Sequence, residues 1–131
     1  MGRLPDWPDR LGAYIATHAH MRFAWGNYAH DCCSFAFGAA TAITGRDLMD
    51  GLPTYASAEE ADLLLAKPIE AWLDELLPRV EPAMAQRGDI AVADVREETA
   101  ALIVEGDTLI GAAPFGLTRL PRLAMRIAWK V

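Results

Sequence analysis

The chain has 131 residues, of which 53% are hydrophobic and 23% are charged, and this size and composition predict one soluble globular domain. Eighteen acidic and twelve basic residues give a formal net charge of −6, which argues against a nucleic-acid-binding protein, because such proteins rely on basic residues that neutralise phosphates. The chain has no stretch of about 18 apolar residues, so no membrane span is predicted. The N-terminal residues lack the continuous apolar segment of a signal peptide, so we expect synthesis in a cytoplasm.

The first predicted helix begins at Asp6, which can cap it, with Pro8 in its first turn. Apolar residues follow at helical spacing, and the helix is predicted to end between His20 and Arg22. A loop should follow, in which Gly26 allows a sharp turn.

The second predicted helix runs from about Cys32 to Thr44, with Asp31 as its cap and Gly45 at its end. Apolar side chains lie nearly all round it, which is typical of a buried central helix. Cys32 and Cys33 are the two cysteines of the chain, and as sequence neighbours they are not expected to form a disulfide. Cys33 points about 100° around the helix from Cys32 and should face the core.

Two more helices are predicted before the strands. Ser57 and Glu60 have the spacing of a capping box, which indicates a short helix through Leu65. A second helix should begin at Pro68, since the apolar residues of 69–77 fall at i, i+3, i+4, i+7 and i+8.

Strands are predicted in residues 89–95, 101–113 and 115–121, with a hairpin turn at Gly106. The last residues should form one helical turn and then a strand from about Arg126. The helices therefore come first and the strands second.

This order predicts a single α+β domain, mainly helical in residues 1–78 and mainly strand in residues 87–131. Cys32 should begin a central buried helix packed on a small antiparallel sheet. A thiol at a helix N-terminus is favoured as thiolate, and the free amides there can stabilise an oxyanion. The alternative is a purely structural thiol, because free cysteines are among the most buried residue types.

Two short blocks resemble the NlpC-like branch of the papain-like cysteine peptidases. Residues 31–35 (DCCSF) are similar to the family's nucleophile block, Asp-Cys-Ser-Gly-Phe/Leu, and residues 87–92 (RGDIAV) to its Gly-Asp-Leu-Val-Phe block. The resemblance implies a papain-like fold with Cys32 as nucleophile. It also implies cleavage of amide bonds in peptidoglycan stem peptides.

The order of several blocks is also similar to a compact phage and prophage family encoded among tail genes, and to proteins of gene-transfer-agent clusters. The matching blocks are residues 23–26 (FAWG), 31–32 (DC), 44–47 (TGRD), 87–89 (RGD), 116–117 (GL) and 128–131 (AWKV). This resemblance implies tail hub and distal tail proteins as partners, with peptidoglycan as a further ligand. It implies a location in the host cytoplasm during synthesis and then in a virion or tail particle.

The sequence departs from the NlpC-like pattern at the general base. That pattern has a histidine at the start of the strand after the Gly-Asp block, where this chain has Thr99, Ala100 and Ala101. No histidine follows His30, which lies two residues before Cys32 and is the remaining candidate for the base. The interpretation we prefer for His30 is a solvent-facing loop residue.

The other polar and aromatic residues near Cys32 have simpler interpretations. Asp31 is predicted to be a helix cap rather than an acid catalyst. Trp25 and Tyr28 could line a substrate groove, although core packing is favoured for Trp25. His18 and His20 lie on different faces of the first helix, so no metal site is predicted, and no cofactor is expected.

Three functions follow from these patterns. The first is a structural component of a phage-type tail tip, with an NlpC-like fold whose catalytic site is degenerate. The second is an active cysteine amidase or endopeptidase acting on peptidoglycan. The third is a thiol-based acyl carrier or transferase on the same scaffold.

Overall fold

The structure is a computed structural model, and it describes residues 2–26, 30–50, 54–60, 68–95 and 97–131. Three helices have defined bounds, namely α1 (Trp7–His18), α2 (Cys32–Thr44) and α3 (Ile69–Leu76). The six strands are β1 (Arg79–Val80), β2 (Ile90–Val95), β3 (Glu98–Val104), β4 (Thr108–Ala112), β5 (Leu117–Pro121) and β6 (Ile127–Trp129). All six form one antiparallel sheet in the order β1-β6-β2-β3-β4-β5, so the predicted α+β class is confirmed.

The helix α1 begins after Asp6 and has Pro8 in its first turn, as predicted. The capping role predicted for Asp6 is wrong, because its side chain makes no cap hydrogen bond. Its carboxylate instead accepts a hydrogen bond from Arg10 Nε at 2.8 Å, one turn along the exposed face.

The helix α2 has the bounds that its cap and stop residues predict. Gly45 ends it in the left-handed region with φ of 76°, a conformation that glycine adopts without a Cβ clash. Seven of its residues are buried, and it packs against α1 and against the strands β3 and β4. Gly38 allows the closest approach, because a Cβ built there would lie 2.2 Å from the Tyr14 hydroxyl of α1.

The predictions for the other helices and for the strands are largely confirmed. Residues 58–60 are helical and the Glu60 N–H donates to Ser57 Oγ at 3.1 Å, whereas the rest of that predicted helix lies outside the described residues. One 3-10 turn follows Pro121 and the last strand comes directly after Arg126. The two-residue strand β1 and the 3-10 turn at residues 82–84 were not predicted.

The sheet has an apolar cluster on each face, because successive strand residues point to opposite sides. On β3, Ala101 and Ile103 join the larger cluster beneath the helices, whereas Leu102 and Val104 join the smaller cluster on the other face. Cys33 packs against the larger cluster. Ala101 therefore lies on the side of the sheet that α2 covers.

Asp89 joins three parts of the chain just before β2. Its Oδ1 accepts hydrogen bonds from Arg3 at 2.7 Å and from the Val131 N–H at 3.0 Å. Its Oδ2 accepts from the Gln86 N–H at 2.8 Å. Asp89 thus fixes the entry to β2 against both ends of the chain.

None of the helices in the described residues combines the length and the hydrophobicity that crossing a bilayer requires.

Candidate functional site

Asp31 is the centre of a buried polar network at the start of α2. Its side chain is nearly inaccessible, and its Oδ1 accepts the Ser34 N–H at 2.9 Å, which confirms the predicted helix cap. Its Oδ2 accepts the Gly26 N–H at 3.0 Å. Both donors are backbone amides, so one carboxylate fixes the helix start and the preceding loop together.

Tyr55 completes this network from a distant loop. Its hydroxyl lies 3.0 Å from Asp31 Oδ1 and 2.9 Å from Oδ2, so its proton serves the carboxylate. The same hydroxyl is 3.3 Å from Ser34 Oγ, which itself donates to the Gly26 carbonyl at 2.7 Å. Burial, ahead of every other influence, raises the pKa of Tyr55 and keeps it a neutral donor.

Cys32 follows Asp31 as the first residue of α2 and is half-buried, as is Cys33. A hydrogen bond from the Cys33 thiol is the largest influence on the Cys32 thiol and lowers its pKa. A backbone hydrogen bond with Ala101 also lowers it, against burial and the charge of Asp31, which raise it. The pKa of Cys33 is raised, first because its proton is held by Cys32 and then by burial.

The two thiols therefore form an unequal pair. Cys32 is the sulfur that ionises first, and Cys33 is its donor and part of the core packing. This difference agrees with the predicted orientations of the two residues on the helix.

Ala101 is the strand residue next to the Cys32 sulfur, and it offers no proton acceptor on its side chain. It is buried on β3, which follows the Gly88-Asp89 segment and β2 along the chain. The thiol thus contacts the backbone of one of the three residues, 99–101, that stand where the NlpC-like pattern has its histidine.

His30 is not a solvent-facing loop residue, so that prediction is wrong. Its side chain is 2% exposed, and its Nδ1 lies 2.9 Å from Nδ1 of His18. Its Nε2 lies 2.8 Å from the Gly116 carbonyl oxygen. Both ring nitrogens are therefore engaged away from the thiol, and His20 is exposed after the end of α1.

The prediction that Trp25 packs in the core is also wrong. Its side chain is 42% exposed and contacts the ring of Phe23 edge-on, with centroids 5.0 Å apart. Tyr28, the other residue predicted to line a groove, lies outside the described residues.

In the described ranges 2–26, 30–50, 54–60, 68–95 and 97–131, no three histidine, cysteine or acidic residues are grouped so that they could hold a metal ion.

The family model of a domain of unknown function, DUF6950, matches residues 2–131. The chain belongs to the DUF6950 family. The match covers every helix, strand and site residue described above. Among curated proteins, none is similar enough to the chain to match.

Sequence reasoning placed Asp31 and Cys32 of this DUF6950 protein correctly at the helix start but missed the groups around them. Tyr55 lies 24 positions from Asp31, in a loop with no recognisable pattern. The contact between His18 and His30 joins the end of α1 to the loop before α2, and no local pattern connects these two positions. The available signal for that pair was the clustering of all three histidines of the chain within residues 18–30.

Proposed function

We propose that this DUF6950 protein is a structural component of a phage-type or gene-transfer-agent-type tail tip, with an NlpC-like cysteine hydrolase fold that no longer catalyses hydrolysis. Its partners would be tail hub and distal tail proteins. The observation that carries the proposal is that Cys32 begins a helix, whereas both ring nitrogens of His30, the candidate base, are engaged by other groups.

The chemistry of amide hydrolysis explains why this observation matters. A cysteine hydrolase needs a group that accepts the thiol proton and then gives it to the leaving amine. All three histidines of the chain are described, and no hydrogen bond joins any of them to the Cys32 thiol. His18 and His30 bond to each other in the interior, and His20 is exposed at the far end of α1.

The Asp31 network supports a structural use of the same motif. Its carboxylate accepts hydrogen bonds from two backbone amides and the Tyr55 hydroxyl, and none of these three donors is a catalytic base. The Asp-Cys block therefore stabilises the helix start and the preceding loop, and this role does not require catalysis.

A direct test is digestion of purified peptidoglycan, with released peptides measured by liquid chromatography and mass spectrometry. We expect the wild type to release no more peptide than Cys32→Ala, the matched control that removes only the sulfur. Release that depends on Cys32 would contradict the proposal.

The tail role needs a separate experiment in a particle whose genes encode the protein. We expect deletion of the gene to prevent formation of complete tails in electron micrographs, and Cys32→Ala to restore them as well as the wild type does. Normal tails after deletion, or failure of Cys32→Ala alone, would count against the structural role.

The second candidate is an active cysteine amidase cleaving peptidoglycan stem peptides, and the lowered pKa of Cys32 favours it. In this reaction the thiolate attacks the amide carbon, the amine leaves with a proton, and water then hydrolyses the thioester. The helix amides would stabilise the oxyanion, and a partner chain would supply the base. Digestion by the wild type only after adding tail hub protein would favour this candidate.

A further inference from the structure

His18 and His30 form a buried pair that the proposed function does not use. The two side chains are 7% and 2% exposed, and their rings stack with centroids 5.1 Å apart. The two Nδ1 atoms lie 2.9 Å apart, and His30 Nε2 lies 2.8 Å from the Gly116 carbonyl oxygen. Two titratable rings are thus in direct contact inside the protein.

The bonding pattern allows one arrangement of protons when both rings are neutral. The Gly116 carbonyl can only accept, so His30 Nε2 carries a proton and His30 Nδ1 is bare. The proton between the rings then belongs to His18 Nδ1. If His30 also gained a proton at Nδ1, two N–H groups would face each other at 2.9 Å and the hydrogen bond would be lost.

In the described residues, aromatic rings and one buried carboxylate surround the pair. On α1, the Tyr14 ring lies 4.2 Å from the His18 ring between centroids, and its hydroxyl donates to the Phe35 carbonyl. At the start of α2, Phe35 meets both rings edge-on, and the Asp31 carboxylate is occupied by other donors.

Two other segments of the described residues adjoin the pair. The turn between β4 and β5 contributes the Gly116 carbonyl. In the segment before His30, Arg22 is exposed and pairs through its backbone with Phe115.

Gly116 connects the pair to two other segments. Its N–H donates to the Met21 carbonyl at 2.7 Å, and its own carbonyl also accepts the Ala113 N–H at 3.0 Å. A Cβ at Gly116 would lie 2.5 Å from the Ala19 carbonyl oxygen, so the turn lies directly against the end of α1. The residue after His30 is Asp31, the cap of α2.

We propose that His18 and His30 act as a proton-sensitive latch, which holds the β4–β5 turn and the segment before α2 together at neutral pH and releases them on acidification. The latch rests on the ring contacts alone and is independent of any reaction at Cys32.

The direction of the pH effect follows from the burial of His18. Its Nδ1 already carries a proton, so an added proton goes to Nε2 and places a charge in the interior. Burial first, and the charge of His30 second, lower the pKa of His18 to about 4. The unfolded chain takes up this proton near the ordinary histidine value of about 6.5. The stability due to the neutral pair is therefore complete above about 6.5 and declines as the pH falls toward 4, by up to about tenfold per pH unit in the folding equilibrium constant.

The primary test is an NMR titration of the wild-type protein from pH 7.5 to pH 4, following the imidazole nitrogens and the backbone amides. We expect the His18 ring to titrate well below the ordinary histidine range. The amides of Met21, Phe23 and Gly116 should shift in the same step. Titration of the His18 ring in the ordinary range, or a step that leaves the Gly116 amide unmoved, would overturn the proposal.

A matched pair of variants separates the latch from general acid effects. In His18→Asn the amide nitrogen can still donate to His30 Nδ1, but the residue no longer titrates. We expect stability to decline less on acidification in His18→Asn than in His20→Asn, which changes the exposed histidine and leaves the buried pair intact. An identical decline in both variants would overturn the proposal, and if His18→Asn does not fold, the wild-type titration decides.

Discussion

The two sides of the Cys32 thiol differ sharply in chemistry. On the helix side, Asp31, Ser34, Tyr55 and the Gly26 backbone form a closed set of hydrogen bonds with distances of 2.7–3.3 Å. On the strand side, the sulfur meets the backbone of Ala101, a residue with no polar side chain. In the part of the chain that the structure describes, the groups that position the helix start are thus polar, whereas the neighbouring strand residue is apolar.

The largest effect should come from breaking the helix side with Asp31→Ala. This change removes the cap and leaves the Ser34 and Gly26 amides and the Tyr55 hydroxyl without their acceptor in the interior. We expect the free energy of unfolding to fall by about 3 kcal/mol or more, measured by urea denaturation.

The matched control is Asp6→Ala, at the equivalent position before α1. Asp6 makes no cap hydrogen bond and pairs with Arg10 in solvent, so this variant should leave the unfolding transition almost unchanged. Equal decreases in the free energy of unfolding of the two variants would mean that the buried network contributes no more stability than the exposed pair.

A smaller effect should follow from Tyr55→Phe, which removes one donor and keeps the ring. Because the lost bond ends on a carboxylate, we expect a decrease of about 1.5–3 kcal/mol in the free energy of unfolding. The comparison is Tyr14→Phe, whose hydroxyl donates to the neutral Phe35 carbonyl, and which should cost about 0.5–1.5 kcal/mol. The reverse order would show that the carboxylate does not depend on Tyr55.

Cys33→Ala should have the smallest effect on stability, and it tests most directly what lowers the pKa of the Cys32 thiol. The Cys33 thiol is the largest influence that lowers the pKa of Cys32, so its removal should raise the pH at which Cys32 is half ionised. The rate of iodoacetamide alkylation as a function of pH measures this shift at the one remaining cysteine.

Cys33→Ser is the control for this measurement, because its hydroxyl can still donate toward Cys32. We expect its profile to lie between those of the wild type and Cys33→Ala. A Cys33→Ala profile that coincides with the wild type would show that the neighbouring thiol does not assist ionisation.

The sequence predicted those parts of the fold whose signals are local. The cap at Asp31 and the stop at Gly45 bracket α2 to the residue, since both act on backbone groups next to them. The hairpin at Gly106 and the last strand were recognisable for the same reason. Each of these elements is specified by a few consecutive residues.

The parts that were missed depend on contacts between distant segments. The burial of His30 requires the Gly116 carbonyl, 86 positions later, and the exposure of Trp25 depends on where its loop crosses the surface. The strand β1 has two residues and exists because it pairs with β6, the last strand of the chain. Periodicity within a short window carries no information about such partners.

The bonds of Arg3 have a consequence for the order of folding. Its Nε donates to the Val131 carbonyl across 128 positions, and its guanidinium also holds Asp89. Contacts of such large sequence separation carry the highest loop-closure cost, so we expect them to form after the central hairpin of β2 and β3. Substituting Arg3 should then accelerate unfolding while leaving the refolding rate nearly unchanged.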